Sequence, residues 1–82
     1  MKEYIATFFS HFGATRFKKL CDASGFEARV MPVPRDLSSS CGTCVRYRGP
    51  GPWPGETVKD EIEQIVELAE KKYVPVYRAE DI

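Results

Sequence analysis

Two kinds of apolar spacing alternate along this chain, and together they predict its elements. Residues Glu3 to Phe9 are mostly β-branched or aromatic, and both alternating faces, Tyr4/Ala6/Phe8 and Ile5/Thr7/Phe9, are largely apolar. A strand that is apolar on both faces belongs in the middle of a sheet. From Ser10, a good N-cap residue, the spacing becomes helical. Ala14, Phe17, Leu20 and Cys21 recur along one stripe while Arg16, Lys18 and Lys19 face outward, and Gly25 suits the C-terminal cap.

Alternation returns from Phe26 to Val33, where Pro32 and Pro34 mark the end. Proline cannot donate to a ladder, so this is an edge strand. Cys44 to Arg48 predicts a third strand with Val45 and Tyr47 on one face and Cys44, Arg46 and Arg48 on the other. The run from Gly49 to Gly55, with Trp53 among its prolines, breaks regular structure. Thr57 with Asp60 reads as a capping box, and Val58, Ile62, Ile65, Val66 and Ala69 as the stripe of a second helix. Tyr73 to Tyr77, holding Pro75, is a last edge strand. The order β-α-β-β-α-β predicts an α+β, ferredoxin-like fold with two helices on one face of a four-stranded antiparallel sheet, as one domain over residues 1–82.

Length and charge narrow the function classes. Eighty-two residues make one small core. Twelve basic and twelve acidic residues cancel, so no overall field draws the chain to nucleic acid or to a membrane. The first apolar run ends at Phe9, too short for a signal segment or a membrane span, and this argues for the cytoplasm. The charge is unevenly placed: Arg29 to Arg48 holds four bases and one acid, while Glu56 to Ile82 holds eight acids and four bases.

The basic stretch is where the chemistry lies. Cys41 and Cys44 stand three positions apart after Ser38-Ser39-Ser40, with Arg35, Arg46 and Arg48 around them. Thiolate is the nucleophile and soft ligand, and cations favour it. An odd count of three cysteines in a reducing compartment suggests reactive or metal-binding thiols rather than a disulfide framework. If the third strand pairs with the first, Ser10 and His11 come near Cys41, along with the positive end of the first helix. His11 is then a candidate proton carrier.

Thr7-Phe8, Ser10, Ala14, Leu20, Gly25, Pro32-Val33-Pro34-Arg35, Ser38-Ser39-Ser40-Cys41-Gly42 and Arg46-Tyr47 resemble the selenium/sulfur carrier-like family of small bacterial domains. The most specific part is Pro34-Arg35 followed, after four residues, by Ser40-Cys41-Gly42. Cys44 and the Gly/Pro loop depart from that family's pattern. The resemblance implies a carrier more than an enzyme. Cys41 would take sulfur or selenium as a persulfide or selenide from a donor protein and pass it to an acceptor, with Arg35, Arg46, Arg48, Ser40 and Gly42 receiving the anion and no cofactor required. The alternative is a thiol redox or metal-binding dimeric module that uses Cys41 and Cys44 together, although one Cys-x-x-Cys supplies only two of the four ligands of a structural zinc site. A sheet with helices on one face leaves the other face open, which suggests a homodimer or larger homo-oligomer. Trp53 either docks a partner or folds back over the core.

Overall fold

The first strand is central, as its two apolar faces require. In the computed structural model, which describes residues 1–55 and 59–79, β1 (Lys2–Phe8) is followed by α1 (His11–Ala23), β2 (Glu27–Pro32) and β3 (Thr43–Gly49). β1 pairs antiparallel with β3, from Lys2 opposite Gly49 to Thr7 opposite Cys44, and β2 pairs with the outer side of β3. Tyr4, Ile5, Ala6, Thr7 and Phe8 are all buried. Ser10 caps α1 by accepting from the Gly13 N–H, and Gly25 ends it at φ 79°, where the Phe26 N–H reaches back to the Cys21 carbonyl at 2.8 Å.

Among the described residues the second helix is absent, and the ferredoxin-like plan fails there. After a short 3-10 turn at Lys59–Glu61 the chain forms β4 (Ile62–Ala69) and β5 (Lys72–Arg78), giving a five-stranded antiparallel sheet in the order β2-β3-β1-β4-β5 with one helix. Thr57 and Val58 of the expected capping box and stripe lie outside the described residues. The remaining stripe is a strand whose period is disguised by a bulge. Thr7 pairs with Gln64 but Phe8 pairs with Ile62, so one extra residue enters β4. That insertion puts Ile62 and Ile65, three apart, into the same cluster, while Val66 goes to the opposite one. Apolar residues three and four apart thus imitate a helix.

The β4–β5 hairpin also lacks the usual sequence signal. Its two loop residues, Glu70 at φ 49° and Lys71 at φ 66°, both take the left-handed conformation that such tight hairpins demand, yet neither is glycine or asparagine.

Each face of the sheet has its own cover. On one side Ala14, Phe17 and Cys21 of α1 pack with Tyr4, Ala6, Phe8, Val45, Tyr47, Ile62 and Ile65. The Gly/Pro run covers the part of this side that the missing helix would have filled. Trp53 folds back edge-on against Tyr77 at 5.3 Å, Lys59 Nζ sits 4.9 Å over its indole, and the Pro52 carbonyl accepts from the Tyr47 hydroxyl at 2.7 Å. On the other side Ile5, Cys44 and Val66 form a smaller cluster, overlain by Val33 and Leu37 from the segment that joins β2 to β3. The face expected to stay open is therefore partly closed by the chain itself. Among the described residues no helix is long and apolar enough to cross a membrane.

Candidate functional site

The cysteine segment is tied down along its length. Pro34 to Leu37 makes a turn in which the Leu37 N–H reaches the Pro34 carbonyl at 3.0 Å, with Arg35 exposed on it. Asp36 accepts from the Tyr73 hydroxyl on β5 at 2.9 Å, and this bond is the main reason the phenol is held above its ordinary range. Gln64 donates to the Ser38 carbonyl at 2.9 Å. Glu63 then fixes the residue before the cysteine: its carboxylate accepts from the Ser40 N–H at 3.1 Å, from the Ser40 hydroxyl at 2.5 Å and from the buried Thr7 hydroxyl at 3.2 Å. A carboxylate gathering three donors orders a loop strongly, because charge-assisted bonds are about twice as strong as neutral ones.

Cys41 follows directly. It is partly buried against the helix-side cluster, its thiol directed to the Thr43 carbonyl at 3.4 Å, and Gly42 beyond it takes φ 75°, a conformation costly for any residue with a side chain. The Thr43 hydroxyl shares a 2.7 Å hydrogen bond with His11 Nδ1, so the first turn of α1 meets the start of β3 two residues from the thiol. The Ser39 hydroxyl, also in this loop, is buried with no hydrogen-bond partner among the described residues. Such groups are uncommon in folded chains and cost about 1–3 kcal/mol each.

The other two cysteines have different surroundings. Cys44 is fully buried in the cluster on the opposite side of the sheet, its thiol directed to the Pro32 carbonyl at 3.7 Å. Burial first, then the neighbouring Cys41 thiol, push it up to about 11, with Arg46 pulling weakly the other way. Cys21 is on the buried face of α1, and burial, followed by Asp22, pushes it up to about 12. All three cysteines are free, and Cys41 and Cys44 pack on different clusters.

The buried thiols carry a pH consequence. The unfolded chain releases their protons near the ordinary value of 9.0, whereas the folded chain keeps them to about 11 and about 12. Between these limits the folded state binds more protons, so stability is complete below pH 9 and falls as pH rises, by up to about 1.4 kcal/mol per pH unit for each thiol. Urea melts at about pH 8 and about pH 10 should show this loss in the wild type. The loss should be smaller in Cys44→Ala, and equal slopes in the two proteins would contradict the assignment.

Arg46 and Arg48 do not gather around Cys41. Arg46 and Arg48 lie three and five residues beyond Thr43 on β3, roughly 10 and 17 Å along an extended strand. Arg46 is engaged instead by Glu3 at 2.9 Å, a bond that raises the guanidinium and lowers the carboxyl. Thus His11, Ser40, Cys41 and Gly42 share one end of the sheet, Arg35 lies in the covering turn, and Arg46 and Arg48 are elsewhere. Glu63 was not singled out by sequence reasoning, because its segment has helical spacing and its acids read as a solvated face.

These positions can be compared with known proteins. Residues 3–78 match the family described as "Putative Se/S carrier protein-like". The chain belongs to this Se/S carrier-like family. It is also similar to the uncharacterized protein YtiA of Escherichia coli (strain K12), with 36% identity over 67 residues that cover 82% of this chain and 75% of YtiA. No solved structure matches the chain. The family match spans the cysteine loop together with all of the sheet except Lys2.

Proposed function

We propose that this member of the Se/S carrier-like family carries sulfur or selenium on Cys41. The observation that carries the reading is the contrast among three cysteines. Cys21 and Cys44 are fully buried, and burial keeps them protonated, whereas Cys41 is partly accessible in an ordered loop. In loading, the Cys41 thiolate attacks the terminal sulfur of a donor persulfide. The donor's S–S bond breaks, its thiolate leaves, and the atom remains on Cys41 as a persulfide. In delivery an acceptor nucleophile attacks that terminal sulfur and Cys41 thiolate departs. Selenium follows the same route as a selenium atom on the cysteine sulfur.

In this reading Glu63 presents the thiol by holding Ser40, Gly42 lets the incoming group approach closely, and His11, bonded to the Thr43 hydroxyl two residues from the thiol, is the candidate proton carrier. Arg35 supplies positive charge from the covering turn. A thiol presented from a loop suits a carrier that meets donor and acceptor proteins more than an enzyme with a substrate pocket. We propose a cytoplasmic location, since an odd count of three cysteines suits a reducing compartment. Association with a second copy has less apolar sheet to use than an open face would offer, because Val33 and Leu37 lie over it.

Intact-mass spectrometry after incubation with a small persulfide donor tests the proposal. Wild type and Cys44→Ala should gain one sulfur atom and Cys41→Ala none. Loading that survives in Cys41→Ala, or an oxidised product that needs both Cys41 and Cys44, would refute it.

A further inference from the structure

The arginines that the fold carries away from Cys41 meet a third one. Register places Arg29 on β2 directly opposite Arg46 on β3, while Arg48, two residues on, stands opposite Glu27 on β2 and Glu3 on β1. Arg29, Arg46, Arg48, Glu3 and Glu27 line an open cleft of about 450 Å³ on the face of the sheet away from α1. We propose that Arg29, Arg46 and Arg48 form a binding site for a tetrahedral oxyanion, such as a phosphoryl group, borne by a small ligand. The site is independent of the role of Cys41.

Three features of the cluster support this. Like charges directly opposite each other on neighbouring strands destabilise a sheet, and Arg29 and Arg46 are such a pair; Glu3, on which Arg46, Arg48 and Arg29 all act, offsets part of that cost, and an anion between the arginines removes more of it. Among the described residues one carboxylate, Glu3, is within bonding distance of the cluster, and it takes the Nε of Arg46, leaving the forks of the exposed Arg29 and Arg48 to a ligand. Guanidinium forks match oxyanion geometry, and three of them find more acceptors on a tetrahedral group than on the two oxygens of a carboxylate.

The flanking acids define the size of the guest. Glu3 and Glu27 border the same cleft, so a polyanion running across the sheet would be repelled on either side while a compact anion sits between the arginines. The volume lies within the range of small-molecule sites.

The test is a titration of isotope-labelled protein with inorganic phosphate, pyrophosphate and sulfate at constant ionic strength, followed by amide and arginine Nε shifts. Saturable shifts centred on Arg29, Arg46 and Arg48 are expected, with affinity weakened about tenfold or more in Arg29→Ala and in Arg48→Ala. Both side chains are exposed, so neither change should unfold the domain. Shifts that never saturate, that centre on other residues, or that persist unchanged in the Arg29→Ala/Arg48→Ala double variant would overturn the proposal.

Discussion

Tyr47→Ala should remove a large part of the stability of this domain. The Tyr47 ring stacks on Tyr4 at 5.3 Å and on Phe26 at 6.3 Å, and meets the edge of Phe17 at 5.0 Å, so β1, β3, α1 and the entrance to β2 converge on it. Its hydroxyl holds the Gly/Pro run through Pro52. Truncating a buried aromatic of this kind costs about 3–5 kcal/mol. A domain of this size has roughly 4–12 kcal/mol in all, at about 0.05–0.15 kcal/mol per residue. Tyr47→Phe keeps the ring and strands only the Pro52 carbonyl, for about 1–2 kcal/mol. Chemical denaturation monitored by circular dichroism separates the two variants. A Tyr47→Ala protein within about 1 kcal/mol of wild type would show that these contacts are not where the core is held.

Glu63→Ala should release the cysteine loop without dissolving the sheet. Three donors lose their acceptor, and one of them, the Thr7 hydroxyl, belongs to a fully buried residue, so a stability loss of about 2–3 kcal/mol is expected. The local effect should be larger than the global one. Hydrogen exchange at the Ser40 amide should quicken at least about tenfold beyond the change at β1 amides, because the bond that protects it is gone. Glu63→Gln retains an acceptor oxygen and should recover part of that protection. Unchanged Ser40 exchange in Glu63→Ala would mean that the turn at Pro34 to Leu37 alone orders the loop.

The first half of the chain was legible because period and punctuation agreed there. Glu3 to Phe9 alternates with apolar residues on both faces, Ser10 and Gly25 bracket a helical stripe, and Pro32 sits where an edge strand tolerates it, so β1, α1, β2 and β3 lie within a residue or two of their expected places. The second half was not, because two local irregularities hide its period. The bulge at Thr7/Phe8 sets Ile62 and Ile65 on one side at helical spacing, and the Glu70-Lys71 turn takes positive φ without glycine, so neither β4 nor its hairpin announces itself.

The site divided in the same way. Ser40, Cys41, Gly42 and His11 could be brought together from strand pairing alone. Glu63 could not, since its role depends on β4 lying beside β1, and that neighbour was hidden by the false helix. Arg46 and Arg48 illustrate the opposite error. A strand advances about 3.3 Å per residue, so neighbours in sequence are soon distant in space.

The placement of two prolines bears on how the molecule behaves in company. β2 and β5 form the two margins of the sheet, and each carries one proline, Pro32 and Pro75. Unpaired margins are templates for stacking one chain onto the next, and a residue with no N–H to offer spoils the template. Charged side chains stand on the same strands, at Glu27 and Arg29 on one margin and at the two ends of β5, Lys72 and Arg78, on the other. A crowded solution of this protein is thereby guarded against ladder extension into fibrous aggregates, and its encounters with other molecules are left to its side chains.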